Sequence, residues 1–200
     1  MSLAHCGVNR MRKQVATFVV LVFVAAAVLG GVCAWAQEPQ DQQGPPPQSA
    51  GGRWSVFQSE DRMTGAKLVQ FELESDNTMP DSDRRSRVVL FCKNGHYENA
   101  EFQPSIRMAG PNRPGFWGQP QMQVRVRADA WHDDKGWNWL GKALSMDKGS
   151  VQRAMGARVF RVEFLAARKK ASAQPYIAEF SPEGLNFSQV KASCDLGPKH

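Results

Sequence analysis

Apolar and polar positions alternate with a period of two through most of the chain beyond residue 53, the pattern of strands with one face in a core and one in water. Trp54-Ser55-Val56-Phe57 opens the series, and Lys67–Glu74 sets Val69, Phe71 and Leu73 against Gln70, Glu72 and Glu74. Met122–Ala128 is the cleanest case, with Met122, Val124, Val126 and Ala128 inward and Gln123, Arg125 and Arg127 outward. Arg158–Leu165 places Phe160, Val162 and Phe164 opposite Arg161 and Glu163, and Tyr176, Ala178 and Phe180 continue the theme. Arg87–Cys92 differs. Val88, Leu90 and Cys92 share one face and Val89 and Phe91 the other, so this strand is apolar on both sides and predicted to be central. Arg125, Arg127, Arg161, Glu163 and Glu179 are expected to pair across neighbouring strands on the wet face.

The connections carry their own signals. Asn94-Gly95 is a tight-turn dipeptide that returns the chain into a strand over Tyr97–Phe102. Asp134-Lys135-Gly136 reads as a turn, followed by a strand Trp137-Asn138-Trp139-Leu140 with both indoles on one side. Lys148–Met155 predicts a short helix or turn, and Arg168-Lys169-Lys170 a charged hairpin tip. Met108–Pro120, with three prolines and three glycines, is a loop. Its Phe116-Trp117 pair is read as a lid tucked over the sheet edge, with an exposed docking knob as the alternative. Near the end, Ser181 is expected to cap a helix with Pro182 in its first position and Glu183 at its positive end, running to about Ser193. Phe187, Val190 and Cys194 would then share its buried face. The fold class predicted is mainly β: an antiparallel β-sandwich or curled sheet with a short C-terminal helix.

The first 36 residues stand apart. Arg10, Arg12 and Lys13 precede the apolar run Val15–Leu29, and Ala34-Trp35-Ala36 supplies a small-x-small cleavage pattern before Gln37, so residues 1–36 read as an export signal. Two alternatives stand beside cleavage: an uncleaved anchor with its apolar run extended to Val32, and lipidation of Cys33. Val32 argues against the second, since a lipidated cysteine follows a small residue. Residues 37–52 hold no large apolar side chain and predict a flexible Pro/Gln/Gly-rich linker, leaving residues 53–200 as one domain. The expected location is periplasmic or secreted, with membrane contact only through an uncleaved signal or a lipid. The signal carries three of the 25 basic residues and no acid, so its loss lowers the net charge from +6 to +3. That is too mild for a nucleic-acid partner.

Of four cysteines only Cys92 and Cys194 survive processing, and an even pair in an exported chain predicts a disulfide. Closing a loop of roughly 100 residues stabilises by up to about 4.7 kcal/mol in the chain-entropy model. Catalytic signals are sparse. Of the histidines, His96, His132 and His200 remain, and His132-Asp133-Asp134 lacks further metal ligands, its neighbouring side chains pointing different ways. No G-x-S-x-G, H-E-x-x-H or phosphate loop occurs, so no catalytic residue, metal or cofactor is assigned. The candidate binding residues are Phe116, Trp117, Trp131, Trp137 and Trp139, suited to an envelope protein partner or to stacking on a cell-wall glycan. A small envelope hydrolase competes with this reading and requires His132 to meet a carboxylate from another strand. Burial of Trp137 and Trp139 would instead favour a structural envelope protein.

Taken in order, the features resemble the periplasmic accessory proteins associated with type VI secretion, the VasI/TagO-like group. The resemblance is carried by the export signal, by Trp54 followed by Asp61-Arg62-Met63-Thr64-Gly65, and by the strand Val88–Cys92. Val124-Arg125-Val126-Arg127, Phe180-Ser181-Pro182-Glu183-Gly184-Leu185 and the closing Cys194 complete it, spanning most of residues 54–194. It implies a non-catalytic part that helps an envelope-spanning machine assemble.

Overall fold

A computed structural model of the chain describes residues 46–79, 82–167 and 172–198. The expected export signal (1–36), residues 37–45 of the expected linker, the expected Arg168-Lys169-Lys170 tip and His200 lie outside them. The described residues form eleven strands: β1 (Gln48–Ser49), β2 (Trp54–Glu60), β3 (Lys67–Thr78), β4 (Arg85–Lys93), β5 (His96–Gln103), β6 (Arg113–Pro114), β7 (Pro120–Ala128), β8 (Trp131–Trp139), β9 (Leu144–Ser145), β10 (Phe160–Ala166) and β11 (Gln174–Phe180). Helices α1 (Lys148–Gly156) and α2 (Phe187–Cys194) complete the set. All pairings are antiparallel, in the order β1-β2-β3-β4-β5-β9-β8-β7-β10-β11, with β6 laid on β7.

This is the curled sheet of the two architectures expected. One hydrogen-bonded path bends, without closing, until β11 at one end lies beside β3, two strands in from the other. A bulge between Glu74 and Thr78 carries the end of β3 beyond β2, and there the Asn77 amide stands in for a backbone unit of the missing neighbour. Its Nδ2 donates to the Ile177 carbonyl and its Oδ1 accepts from the Glu179 N–H, both at 2.9 Å, bridging to β11. The inward faces form one core. Phe102 of β5 lies at its middle, its ring centroid 6.2 Å from Trp137, 5.2 Å from Phe164 and 6.3 Å from Phe180. Outward, Arg125 pairs with Glu163 at 3.1 Å and Asp134 at 3.4 Å, and Arg161 with Glu179 at 2.6 Å. Arg127 departs from that scheme, its Nε donating to the Asp129 carbonyl. Central β4 matches the expectation, with Val88, Val89, Leu90 and Cys92 all buried. Asn94 and Gly95 both take positive φ, 51° and 84°, as a type I′ hairpin turn requires.

Three local expectations give way to tertiary contacts. Asp134-Lys135-Gly136 is no turn but the middle of β8, paired residue for residue with β7. The reversal falls at Asp129, whose φ of 51° is tolerated because its carboxylate accepts the Arg158 and Val159 N–H groups. Order also begins before Arg53. Polar Gln48 and Ser49 need only backbone pairing to join β2, and Ala50 is buried. Gly51 and Gly52 then cross the Glu183-Gly184 turn so closely that a Cβ on Gly52 would stand 2.2 Å from the Glu183 carbonyl oxygen.

That crossing also displaces the last helix. Ser181 does not cap it: its hydroxyl donates to Asp76 Oδ2, a carboxylate that also pairs with Arg53, while the Pro182 carbonyl accepts the Trp54 indole N–H at 2.9 Å. Gly184, at φ 89°, turns the chain, and Asn186 becomes the N-cap, accepting from the Gln189 N–H. So α2 starts at Phe187, whose ring is 39% exposed rather than buried. Val190 and Cys194 do face the core, and Cys194 is bonded to Cys92 of β4 with the Cα atoms 5.1 Å apart.

The first helix is anchored by Asp147. Burial of this carboxylate alone would raise its pKa. The Ser150 hydroxyl and N–H and the Trp137 indole N–H outweigh that and hold it below the ordinary 3.8. A depressed folded-state pKa contributes stability that is complete above the unfolded value and lost as pH falls through the folded one. The stability gap between the protein and Asp147→Asn, measured by urea unfolding, is therefore expected to be full at about pH 7 and to narrow as pH falls below the ordinary 3.8. A gap independent of pH would contradict this role for the charge.

Candidate functional site

The long loop is organised as a hairpin that projects two aromatic rings. Its base is β6 against β7, with Arg113 opposite Gln121 and Pro114 opposite Pro120. The Asn112 N–H donates to the Gln121 carbonyl at 3.0 Å, and Asn112 Oδ1 accepts the Gln123 N–H at 2.8 Å. Gln121 pins the base to β8: its amide donates to Asn138 Oδ1 at 2.9 Å and lies across Gly136, where a Cβ would come within 2.5 Å of Gln121 Oε1. Gly115 donates to the Gln119 carbonyl at 2.7 Å and Gly118, at φ 74°, closes the tip. Between them stand Phe116, 90% exposed, and Trp117, 80% exposed. The rings pack edge to face on each other, centroids 4.9 Å apart, and are the most exposed aromatic side chains described. The lid reading is thereby corrected. Pro114 and Pro120 face each other on the last rung before the tip, and neither has an N–H to extend the ladder toward it.

The other three candidate aromatics part company. Trp137 is 1% exposed and bonds Asp147 with its indole N–H, so it is core and has no face for a ligand. Trp131 is half-buried beneath two cations, Arg153 at 4.6 Å and Lys135 at 5.8 Å from the ring. Trp139, also half-buried, lines a cleft of about 530 Å³ with Pro104, Ile106, Arg107, Met108 and Lys142. A second cleft of about 490 Å³ shares Pro104 and Lys142 with the first and adds Arg84, Arg85, Arg87 and Glu101. The two adjoin at these shared residues as a groove of two compartments. It follows the seam where the halves of the sheet are joined only by two-residue β9, paired to β5 at Glu101 and Phe102 and to β8 at Asn138 and Trp139.

His132-Asp133-Asp134 does not converge. Along β8 successive side chains alternate in face. Asp133 pairs with Lys135 at 2.6 Å, an ammonium contact that lowers its pKa, and Asp134 pairs with Arg125. His132 lies opposite Arg127 in register. Among the described residues no three His, Cys, Asp or Glu side chains come together as metal ligands. Tyr97 is pushed up to about 12 by burial and by the Asp147 charge, so its phenol stays protonated at neutral pH.

No family model matches the chain, and no curated protein matches it. Among solved structures it is similar to the crystal structure of invasion associated protein B from Bartonella henselae. The similarity has a TM-score of 0.47 and 13% identity, covering 73% of this chain and 92% of that one.

The groove is the site that sequence reading missed. A signal for its basic half existed in Asp83-Arg84-Arg85-Ser86-Arg87, a run entering a strand. Nothing along the chain linked that run to Trp139 or Lys142.

Proposed function

We propose that this protein is a non-catalytic accessory module of the bacterial envelope, which grips an envelope protein with the Phe116–Trp117 hairpin tip. One observation carries the reading: two large rings stand 90% and 80% exposed at the end of a braced hairpin. Covering a ring of this size is worth about 1.5–3 kcal/mol, and aromatic anchors of this kind dominate protein interfaces. The export signal expected from the sequence suits a domain that meets its partner from the periplasmic side. The finer reading is service to an envelope-spanning secretion machine, as the VasI/TagO-like resemblance implies.

The test uses the exported domain and detergent-solubilised envelope from its own source. Phe116→Ala with Trp117→Ala is expected to weaken retention of the domain at least about tenfold while its unfolding midpoint stays unchanged, because neither ring supports the core. Equal retention of the double variant sinks the proposal. If envelope binding is lost in a strain carrying that variant yet secretion proceeds normally, the secretion role falls and the accessory role stands.

A further inference from the structure

The groove along the sheet seam has two chemically distinct compartments, and their combination narrows what fits. One end is basic. Arg84, Arg85 and Arg87 come from the entry to β4, and Lys142 faces them from the loop before β9, with Glu101 the acid among the lining residues. Part of this charge is already spent: Arg87 pairs with Glu72 at 3.2 Å, and Arg85 Nη1 donates to the Ser75 and Asp76 carbonyls at 2.6 Å. The ion pairs among the described residues leave out Arg84, Arg107 and Lys142, and all three side chains are exposed. Glu101 is engaged by the Gln103 amide at 3.0 Å.

The other end is apolar. Pro104, Ile106, Met108, Ala109 and Trp139 wall a cleft whose cations, Arg107 and Lys142, stand with them in the lining. A sugar laid on Trp139 needs side-chain donors and acceptors for its hydroxyls, and this wall supplies few besides those two cations. An acyl chain would leave part of its length in water here, because the cleft opens to the surface. An apolar side chain beside carboxylates meets both requirements.

The groove is also held ready. The Ser105 N–H donates to Ser86 Oγ at 3.2 Å and its carbonyl accepts from Ser82 Oγ at 3.3 Å, so the floor segment is tied to the entry of β4. The Ser105 hydroxyl itself is buried without a hydrogen-bond partner, so turning it toward a ligand sacrifices none. Beyond it, the Ala109 N–H and Arg107 carbonyl pair with Leu165 and Ala167, fixing the far wall.

We infer that this groove binds an extended acidic peptide segment, with carboxylates on Arg84, Arg107 and Lys142 and one apolar side chain beside Trp139. The site is separate from the hairpin tip and does not rest on the role proposed for it. The probe is a fluorescein-labelled peptide with a central leucine between pairs of aspartates, titrated by anisotropy against the whole exported domain. Saturable binding is expected, weakening with added salt and at least about tenfold weaker in Arg84→Glu/Lys142→Glu. Ala109→Trp, which fills the apolar end and removes no contact, is expected to weaken it similarly, and Phe116→Ala/Trp117→Ala to leave it unchanged. Circular dichroism and the unfolding midpoint establish that each variant folds. Absence of saturation up to about 1 mM overturns the assignment, as does binding indifferent to both groove variants. Stronger binding of cell-wall glycan strands or of phosphatidylglycerol vesicles at the same residues overturns it in favour of a sugar or a lipid.

Discussion

Replacing Cys92 and Cys194 together by alanine lowers the unfolding free energy by about 2–5 kcal/mol, the expected result for a native disulfide in a small domain. The bond closes a loop of 102 residues and joins the centre of the sheet to the last helix. Cys92 lies on β4, paired on both sides, while α2 has only eight residues and too few turns to persist alone. The effect is therefore expected to be uneven. Urea unfolding reports the global loss, and hydrogen exchange shows α2 losing protection before β4 does. An unchanged midpoint, or equal loss of protection in both elements, contradicts the clasp.

Phe102→Ala is expected to cost about 3–5 kcal/mol by leaving a cavity in the middle of the core. The ring is fully buried and meets Trp137, Phe164 and Phe180, which come from β8, β10 and β11. It thus ties β5 to the far half of a sheet whose direct link at β9 is two residues long. Phe116→Ala removes the same side chain from a position 90% exposed and is expected to change stability by no more than about 0.5 kcal/mol. Chemical denaturation of the two variants side by side checks both figures. Similar losses would mean that the hairpin tip is packed in solution and that the exposure on which its binding role depends is wrong.

The two substitutions also separate what is local in this protein from what is not. Where a strand has one wet face, the alternation of side chains records which face is dry, so β2, β3, β7 and β10 were readable directly. The β4 run, apolar on both sides, announced a central strand for the same reason. Asn94-Gly95 was readable because a two-residue hairpin demands positive φ. The cysteine pair was readable because only two of the four thiols lie beyond the expected export signal.

The expectations that failed share one cause: a contact with a partner distant in sequence outweighed a weak local preference. Asp134-Lys135-Gly136 favours a turn by about 1 kcal/mol or less, and a continuous ladder to β7 exceeds that. Ser181 and Asn186 are comparable caps, and the decision between them came from Gly51 and Gly52 pressing on Gly184, some 130 residues away.

The candidate sites sort in the same way. The aromatic pair was visible in the sequence, but lid and knob are identical strings until the hairpin base on β8 aims the tip. Trp137 and Trp139 were correctly placed on one side of a strand, yet only the Asp147 carboxylate and the neighbouring seam separate a core indole from one that lines a groove. The groove itself joins residues 84–87, 101–110 and 139–143. By itself the sequence determined the strands, the clasp and the candidate aromatics, because these follow from periodicity and residue type. Where surfaces meet was decided only by tertiary structure, because that depends on how far one sheet curls before β11 comes to lie beside β3.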